Sequence, residues 1–315
     1  MTHTYAEPVP SRRHDLLAWA FPRLMSTQDL DTPEAERARL VRLHAKQDRS
    51  LPTGVVPRFA RRFSVVTEQL SGPAGTFPSY TITRRGTEPR RTVLLVHGGG
   101  FTAGIDPFHV RYAARLAEAL GAHVVLPDYP VAPEHTWRAS HEPLAGLMAR
   151  LAEDAEGSGG LVVVGDSAGG GLALALALTV RDRGGAQPSR LVLHAPWVDL
   201  TTSTPDTVAF AARDPWLHLG KMYAYAEWWA GSKDDLGRPE VSPALADLAG
   251  LPPALMFYGT RDLLAPGCRL LAARAAEAGW DLTAVEEPGL MHVYPLLPLI
   301  PEARAAWRQT LDFVS

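Results

Sequence analysis

The sequence predicts an α/β protein with a mostly parallel central sheet of about eight strands and helices on both faces. Three observations predict this fold. From residue 92 onward, short apolar runs alternate with longer helical segments. Two of these apolar runs end directly in glycine-rich turns. The length of 315 residues suits one large domain, and a hydrophobic content of 46% is enough for a sizeable core.

The predicted elements follow in chain order. Helices are predicted over 12–25 and 32–46, and the second opens with Thr-Pro-Glu, which is typical of a helix start. Strands over 63–68 and 80–84 come next and are expected to form the antiparallel edge of the sheet. The remaining strands are predicted at 92–96, 123–126, 161–164, 191–194, 254–258 and 282–286, with helices at 111–120, 172–180 and 269–278 among them.

Residues 165–170 read Gly-Asp-Ser-Ala-Gly-Gly and directly follow an apolar run. This G-x-S-x-G pattern, between a buried strand and a helix, is typical of a sharp turn that holds a serine hydroxyl above the sheet. The chain passes close to itself there, so Gly165 and Gly169, two residues either side of the serine, need to lack bulk. We therefore predict that Ser167 is a nucleophile. For this motif alone, a phosphate-binding glycine turn is the alternative.

A second glycine-rich turn favours the nucleophile strongly over that alternative. The apolar run 92–96 leads into His-Gly-Gly-Gly at 97–100, whose backbone N–H groups have no side chains in the way. Such donors stabilise the oxyanion of a tetrahedral intermediate. In enzymes with the serine turn, the N–H of the residue after the nucleophile, here Ala168, completes the set. The two motifs together predict acyl transfer by a serine.

A nucleophilic serine needs a base that is oriented by an acid, and after such a turn the acid and then the histidine follow in the chain. The histidines after Ser167 are His194, His218 and His292. His292 follows the predicted last strand and a Pro-Gly turn, and it is the favoured base. His194 lies at a strand end, and His218 lies in a segment between strands.

The favoured acid is Asp262, which follows soon after a predicted buried strand. Asp281, Glu286 and Glu287 are the runners-up, because they lie within or before the final strand, where exposure to solvent or helix capping is the commoner role. The alternative for Asp262 itself is to cap the helix that begins near Ala265.

The two motifs resemble those of the bacterial hormone-sensitive-lipase-type esterases of the α/β-hydrolase superfamily. The segment 128–135 is similar to a third signature of that family, usually Tyr-Arg-Leu-Ala-Pro-Glu, and the likeness spans about 93–292. The resemblance implies an α/β-hydrolase fold with a helical cap, and no cofactor. It also implies a triad of Ser167, Asp262 and His292 and an oxyanion hole formed by the backbone N–H groups of Gly99, Gly100 and Ala168.

The sequence departs from the family pattern at positions that carry no catalytic group. Pro130 stands where the family usually has arginine, which removes any salt bridge from that position. Pro266 stands where a second aspartate is common, and Met291, Val293 and Tyr294 flank His292 in place of commoner residues.

The interval 203–240 breaks the alternation, because it is rich in aromatic residues and has no strand character. Together with residues 1–55 it is expected to form a cap over the catalytic face of a single domain that spans 1–315. Its aromatic residues would line a substrate pocket or form the core of the cap, and the second role is favoured for any one of them. They are Trp216, Tyr223, Tyr225, Trp228 and Trp229.

These observations predict a serine carboxylic-ester hydrolase that forms an acyl-enzyme, and the resemblance favours short acyl chains. Two alternatives stay open. A deacetylase or amidohydrolase of a specialised metabolite would use the same triad, since the chemistry is shared and the pocket alone differs. A receptor that binds its ligand without turning it over is the other, although the catalytic histidine is replaced in such receptors and is present here.

Composition limits the partners and the compartment. The net charge is −3, and no basic run alternates with aromatic residues, so nucleic acid is not an expected partner. The single cysteine, Cys268, excludes an intrachain disulfide. No apolar stretch is long enough for a membrane span and no signal peptide is recognised, so a cytoplasmic protein is expected. The expected partner is a small-molecule ester, and a homodimer is left open.

Overall fold

The computed structural model describes residues 9–24, 29, 31–157, 159–297 and 299–315. The first predicted helix extends to position 25, which lies outside these residues. None of the helices in the described ranges is both long enough and apolar enough to cross a membrane. The α-helices of the described residues are Arg12–Leu24 (α1), Pro33–His44 (α2), Phe59–Arg62 (α3), Pro107–Leu120 (α4), His141–Asp154 (α5), Ser167–Asp182 (α6), Thr207–Ala211 (α7), Leu219–Ala230 (α8), Ala265–Ala278 (α9) and Pro301–Val314 (α10).

An eight-stranded sheet runs through the centre of the described residues. Its strands are Phe63–Gly72 (β1), Gly75–Arg84 (β2), Arg91–Val96 (β3), Ala122–Pro127 (β4), Leu161–Asp166 (β5), Arg190–His194 (β6), Ala254–Arg261 (β7) and Leu282–Met291 (β8). Their order across the sheet is β1-β2-β4-β3-β5-β6-β7-β8. β2 pairs antiparallel with β1 and β4, and all other neighbours are parallel. The predicted α/β fold with an antiparallel edge is confirmed.

Side chains of the parallel strands alternate between two apolar layers. In β5, Leu161 and Val163 pack into one layer, and Val162 and Val164 pack into the other. The first layer contains residues of α5, α6, α8 and α9, and the second contains residues of α1, α4 and α10. Because such strands are buried on both faces, each is a nearly continuous apolar run in the sequence.

β1 and β2 are longer than the sequence pattern predicts. They pair continuously from Phe63 opposite Arg84 to Gly72 opposite Gly75, beyond the ends predicted at 68 and 80. Most of β1 is exposed. An exposed edge strand has no apolar alternation to mark its ends, so backbone pairing and the turn between the two glycines set its length.

The interval 203–240, all of which is described, contains α7 and α8 and no strand, as its composition predicts. It contacts the N-terminal helices directly. Phe21 of α1 packs on Trp216, with the ring centroids 4.2 Å apart. The hydroxyl of Tyr225 in α8 donates a hydrogen bond to the carboxylate of Glu36 in α2.

Candidate active site

Ser167 lies at the tip of a tight turn between β5 and α6. Its φ is +51°, in the left-handed region that residues other than glycine rarely adopt. A Cβ atom at Gly165 would lie 2.5 Å from the carbonyl oxygen of Gly169, and one at Gly169 would lie 2.2 Å from the carbonyl oxygen of His97. The close approach that the motif predicts therefore requires glycine at both positions.

The same closeness continues along the start of α6. A Cβ at Gly170 would lie 2.8 Å from the Cβ of Pro196, and one at Gly171 would lie 1.9 Å from the carbonyl oxygen of Trp197. The first turns of α6 thus contact the loops after β3 and β6 without a side chain of α6 in between.

The glycine-rich loop after β3 lies beside Ser167. Gly99 and Gly100 have φ angles of +109° and +61°, and both line the same cavity as the serine. Ala168 is the second residue of α6, and the first N–H groups of a helix have no partner within it. The structure therefore gathers the predicted oxyanion donors on two sides of the serine, from the loop and from the helix N-terminus.

Ser167, His292 and Asp262 form a continuous hydrogen-bonded chain. Oγ of Ser167 lies 2.9 Å from Nε2 of His292, and Nδ1 of His292 lies 2.9 Å from Oδ2 of Asp262. Asp262 and His292 are buried, and Ser167 is 8% exposed. Burial disfavours the charged imidazole, but the neighbouring Asp262 carboxylate outweighs it and raises the pKa of His292 above its ordinary value.

Asp262 joins this chain from the loop after β7. Its Oδ1 accepts the N–H of Leu264 at 2.8 Å, which fixes the carboxylate while Oδ2 faces the histidine. α9 begins at Ala265 with Leu264 at its N-cap, so Asp262 does not cap the helix as the alternative expected.

The other candidates for base and acid have different partners. His194 is buried, its Nε2 is hydrogen-bonded to the hydroxyl of Tyr112 at 2.9 Å, and burial lowers its pKa to about 4. His218 lines the cavity without a bond to Ser167 in the described structure. Glu286 pairs with Arg269 at 2.6 Å. Asp281 directly precedes β8 and Glu287 lies within it, and within the described residues neither carboxylate forms a hydrogen bond with His292.

A cavity of about 260 Å³ opens onto Ser167 and His292. Its walls are mostly bulky and apolar, and its polar groups include Lys221 and Tyr225. A wall of this kind is typical of small-molecule sites that recognise an apolar ligand and orient it with few polar groups. The apolar wall is formed by Trp197, Trp216, Leu217, Met222, Leu264 and Val293.

Aromatic residues of 203–240 take both of the roles that the sequence left open. Trp216 and Tyr225 line the cavity, and the Trp216 ring stands edge-on to His292 with centroids 5.4 Å apart. Trp229 is completely buried, and its ring stacks on Phe101 at 4.4 Å.

A second carboxylate, that of Asp214, was not predicted from the sequence. It lies beside Asp262, the acid of the hydrogen-bonded chain. One oxygen of Asp214 accepts the N–H groups of Trp216 and Leu217, at 2.7 and 2.9 Å, and the other accepts the N–H of Leu263 at 2.7 Å. Burial, and then the charge of Asp262, raise the pKa of Asp214 to about 6. Its signal in the sequence is an Asp-Pro pair before an aromatic residue, which is not specific.

A buried charge pair supports the glycine-rich loop from behind. Asp166 accepts the N–H of Gly98 at 3.1 Å and lies 3.3 Å from Nε2 of His109. The other ring nitrogen of His109 lies 3.1 Å from Asp106. Burial disfavours a charge on His109, but the carboxylates of Asp166 and Asp106 outweigh it and raise the pKa of His109 to about 10. Nothing in the local sequence marks this histidine.

Helix α1 supports the loop that carries His292. Nε2 of His14 accepts the N–H of Met291, the residue before His292, at 3.0 Å. Burial lowers the pKa of His14, which favours the neutral form that can accept this bond. From the sequence, this helix was predicted only to form part of the cap.

Comparisons with known proteins agree with this geometry. The Abhydrolase_3 family, described as alpha/beta hydrolase fold, matches residues 93–296. An acetyl-hydrolase of Streptomyces hygroscopicus is 34% identical over 217 residues, which cover 69% of this chain and 72% of that relative. The carboxylesterase NlhH of Mycobacterium tuberculosis is 30% identical over 223 residues, which cover 68% of this chain and 69% of that relative.

A solved structure extends the similarity to nearly the whole chain. The structure of an esterase from the bacterial hormone-sensitive lipase family has a TM-score of 0.75 at 26% identity, and covers 98% of each chain. The range matched by the family contains both glycine-rich turns and all three residues of the hydrogen-bonded chain. The protein therefore belongs to the Abhydrolase_3 family of α/β hydrolases, of the bacterial hormone-sensitive-lipase type, a family of esterases.

Proposed function

We propose that the protein is a serine carboxylesterase that hydrolyses short-chain acyl esters through an acyl-enzyme. The observation that carries the proposal is the hydrogen-bonded chain from Ser167 through His292 to Asp262, at the base of a cavity of about 260 Å³. A serine hydroxyl is a weak nucleophile, and a base oriented by a buried acid is the arrangement that activates it.

The hydrogen-bonded chain accounts for both halves of the reaction, acylation of Ser167 and hydrolysis of the acyl-enzyme. Oγ of Ser167 attacks the ester carbonyl carbon while its proton passes to Nε2 of His292, and Asp262 stabilises the imidazolium that forms. His292 then protonates the leaving alcohol, and the acyl group stays on Ser167. Water repeats the sequence: its proton goes to His292, its oxygen attacks the acyl carbon, and the returned proton releases Ser167 and the carboxylic acid.

The N–H groups of Gly99, Gly100 and Ala168 are the proposed donors to the oxyanion. Negative charge develops on the carbonyl oxygen as the serine attacks, and preorganised donors at that point stabilise it without reorganisation. Losing one such donor typically costs about 10²- to 10³-fold in kcat. The placement of the two glycines supports this role, because both line the cavity that Ser167 and His292 also line.

The size and walls of the cavity support a preference for short acyl chains. The bulky side chains of Trp197, Trp216 and Met222 line the cavity that contains Ser167. We also propose that the described residues of 1–55, together with 203–240, form a cap on this cavity within one domain spanning 1–315; residues 1–8, 25–28 and 30 of the first segment lie outside the described residues. The contacts of Phe21 with Trp216 and of Tyr225 with Glu36 support it.

The test is hydrolysis of p-nitrophenyl esters, from acetate to dodecanoate, by the wild type and by Ser167→Ala. We expect turnover to be fastest on the short chains and to fall by about 10⁴-fold or more in the variant. Turnover that survives in Ser167→Ala would remove the nucleophile assignment. Equal or faster turnover of dodecanoate would remove the preference for short chains and leave the triad in place.

Deacetylation of a specialised metabolite is a second candidate, and the 34% identity with the acetyl-hydrolase supports it. The same triad would act, with an N-acetyl or O-acetyl group as the acyl donor. A burst of one equivalent of p-nitrophenol, followed by slow turnover of every ester, would favour this candidate. Fast steady turnover of simple esters would favour the carboxylesterase.

A further inference from the structure

Four arginine side chains converge on one hollow at the surface, away from the catalytic cavity. The hollow has a volume of about 390 Å³. Its arginines come from three helices and are Arg13 of α1, Arg111 and Arg115 of α4, and Arg304 of α10. We refer to these four residues and the space between them as the arginine hollow. The protein as a whole carries a net charge of −3, so this positive region does not follow from its overall composition.

Within the described residues, no carboxylate lines the arginine hollow or pairs with any of its four arginines. Two acids on the same helices, Glu118 and Glu302, have other partners. Glu118 of α4 forms salt bridges with Arg62 and Arg84. Glu302 of α10 accepts hydrogen bonds from the N–H and the hydroxyl of Ser11, at 2.6 and 3.0 Å. The positive charges of the hollow are therefore not neutralised from within the described structure.

Two of the arginines repel each other, and one of these two is held by a neighbouring ring. Arg111 and Arg115 are one helical turn apart, a spacing at which like charges destabilise a helix. The guanidinium carbon of Arg115 lies 4.0 Å from the centre of the Trp307 ring, which holds it at the wall. Burial, and also the charge of Arg111, lower the pKa of Arg115 below its ordinary value. Nη1 of Arg13 donates to the carbonyl oxygen of Leu299 at 3.4 Å.

From this convergence, we propose that the arginine hollow is a binding site for a phosphate group that carries at least two negative charges. A planar guanidinium presents paired N–H donors that match phosphate oxygens, and several arginines together favour a multiply charged anion over a single carboxylate. The phosphate can belong to a free small molecule or to the headgroup of a lipid. Leu299, on the rim, is 76% exposed and would contact the organic part of either.

The probes are inorganic pyrophosphate, acetate at matched ionic strength, and vesicles of phosphatidylcholine with or without phosphatidic acid, whose phosphomonoester can carry two negative charges. Binding to the full chain is measured by calorimetry for the soluble anions and by co-sedimentation for the vesicles. The test variant carries Arg111→Gln and Arg304→Gln together. The matched control is Arg308→Gln, an exposed arginine one turn further along α10 that does not line the hollow.

We expect pyrophosphate to bind saturably to the wild type, at least about tenfold more weakly to the double variant, and unchanged to Arg308→Gln. Binding to the phosphatidic acid vesicles alone, lost in the double variant, would also support the site and would identify a lipid headgroup as its ligand. Failure of both probes, acetate binding as tight as pyrophosphate, or an equal loss in Arg308→Gln would overturn the proposal.

Folding of the double variant is checked separately. Removing two charges that repel their neighbours should leave its melting temperature in buffer equal to or above that of the wild type. Pyrophosphate should raise the melting temperature of the wild type and not of the double variant, since a ligand stabilises only the state that binds it. The wild type and the double variant are expected to hydrolyse p-nitrophenyl acetate at the same rate, because the arginine hollow contributes no residue to the catalytic cavity.

Discussion

Asp214 accepts the backbone N–H of Leu263, the residue after the acid of the triad, at 2.7 Å. Through its other oxygen it holds the turn that carries Trp216 against the ring of His292. One partly buried carboxylate therefore ties a wall of the cavity to the loop of Asp262. Its charge also acts on the histidine, because Asp214 is among the groups that raise the pKa of His292.

We expect Asp214→Asn to move the acidic limb of the pH profile of kcat/KM to lower pH. The limb reports the pKa of His292, since only the neutral imidazole can accept the serine proton. Burial opposes protonation of His292, and the charges of Asp262 and then Asp214 favour it, so removing one of these charges lowers that pKa. The shift should be at most about one pH unit.

A matched control separates this charge effect from loss of a turn. Asp199 is buried and, like Asp214, accepts backbone N–H groups, from Thr201 and Ser203 at 3.0 Å each. It is not among the groups that shift the pKa of His292. Asp199→Asn should therefore leave the limb where it is. If the acidic limb of Asp214→Asn stays at the wild-type pH or moves to higher pH, the electrostatic role of Asp214 is contradicted.

His109 should make stability depend on pH on the alkaline side. Its pKa in the folded state, about 10, lies above the ordinary value of 6.5, so its contribution is complete below about pH 6.5 and is lost as pH rises through about 10. The difference in free energy of unfolding between the wild type and His109→Gln should shrink over that range, as measured by denaturant titration. His123→Gln, at an exposed site in β4, should show no such trend. A constant difference would contradict a charged His109.

Two glycines in helices should respond oppositely to the addition of one methyl group. At Gly169 a Cβ would lie 2.2 Å from the carbonyl oxygens of Val96 and His97, so Gly169→Ala should cost about 3 kcal/mol or more and abolish turnover. At Gly146 in α5 nothing lies within 4 Å, so Gly146→Ala should stabilise by up to about 1 kcal/mol. Thermal unfolding measures both. A tolerated Gly169→Ala would mean that the turn can open.

Trp216→Ala should shift the preference toward longer acyl chains. The indole lies at the cavity wall beside His292, and its removal leaves space that extra methylene groups can fill. We expect the ratio of kcat/KM for p-nitrophenyl octanoate to that for acetate to rise by about tenfold.

Trp228→Ala is the control for this change, because Trp228 is partly buried in α8 and does not line the cavity. In Trp228→Ala the ratio of kcat/KM for octanoate to that for acetate should stay at the wild-type value. An unchanged ratio in Trp216→Ala, with the protein still folded, would place the acyl chain against another wall.

Much of the fold and of the candidate site could be predicted because the evidence for them is local in the chain. A parallel strand such as β5 is buried on both faces and is a continuous apolar run, and the turn at Ser167 needs glycines at fixed spacing. The order of acid and histidine along the chain, together with their positions after predicted strands, then favours Asp262 and His292.

Features that depend on distant partners could not be predicted in this way. The partner of Asp214 at Leu263 is 49 residues away, and the partner of His14 at Met291 is 277 residues away. Neither contact leaves a pattern in its own segment. The length of β1 was missed for a related reason, since its ladder consists of backbone bonds and its side chains are mostly exposed.

The glycines at the start of α6 have a consequence for heat inactivation. Side chains in a protein core can loosen one by one as temperature rises, but here His97 and Trp197 approach the helix through their carbonyl oxygens, with no side chain of α6 between. We therefore expect the hydroxyl of Ser167 to keep its position for as long as the sheet is intact. Esterase activity and helical circular dichroism should be lost at the same temperature, in a single step.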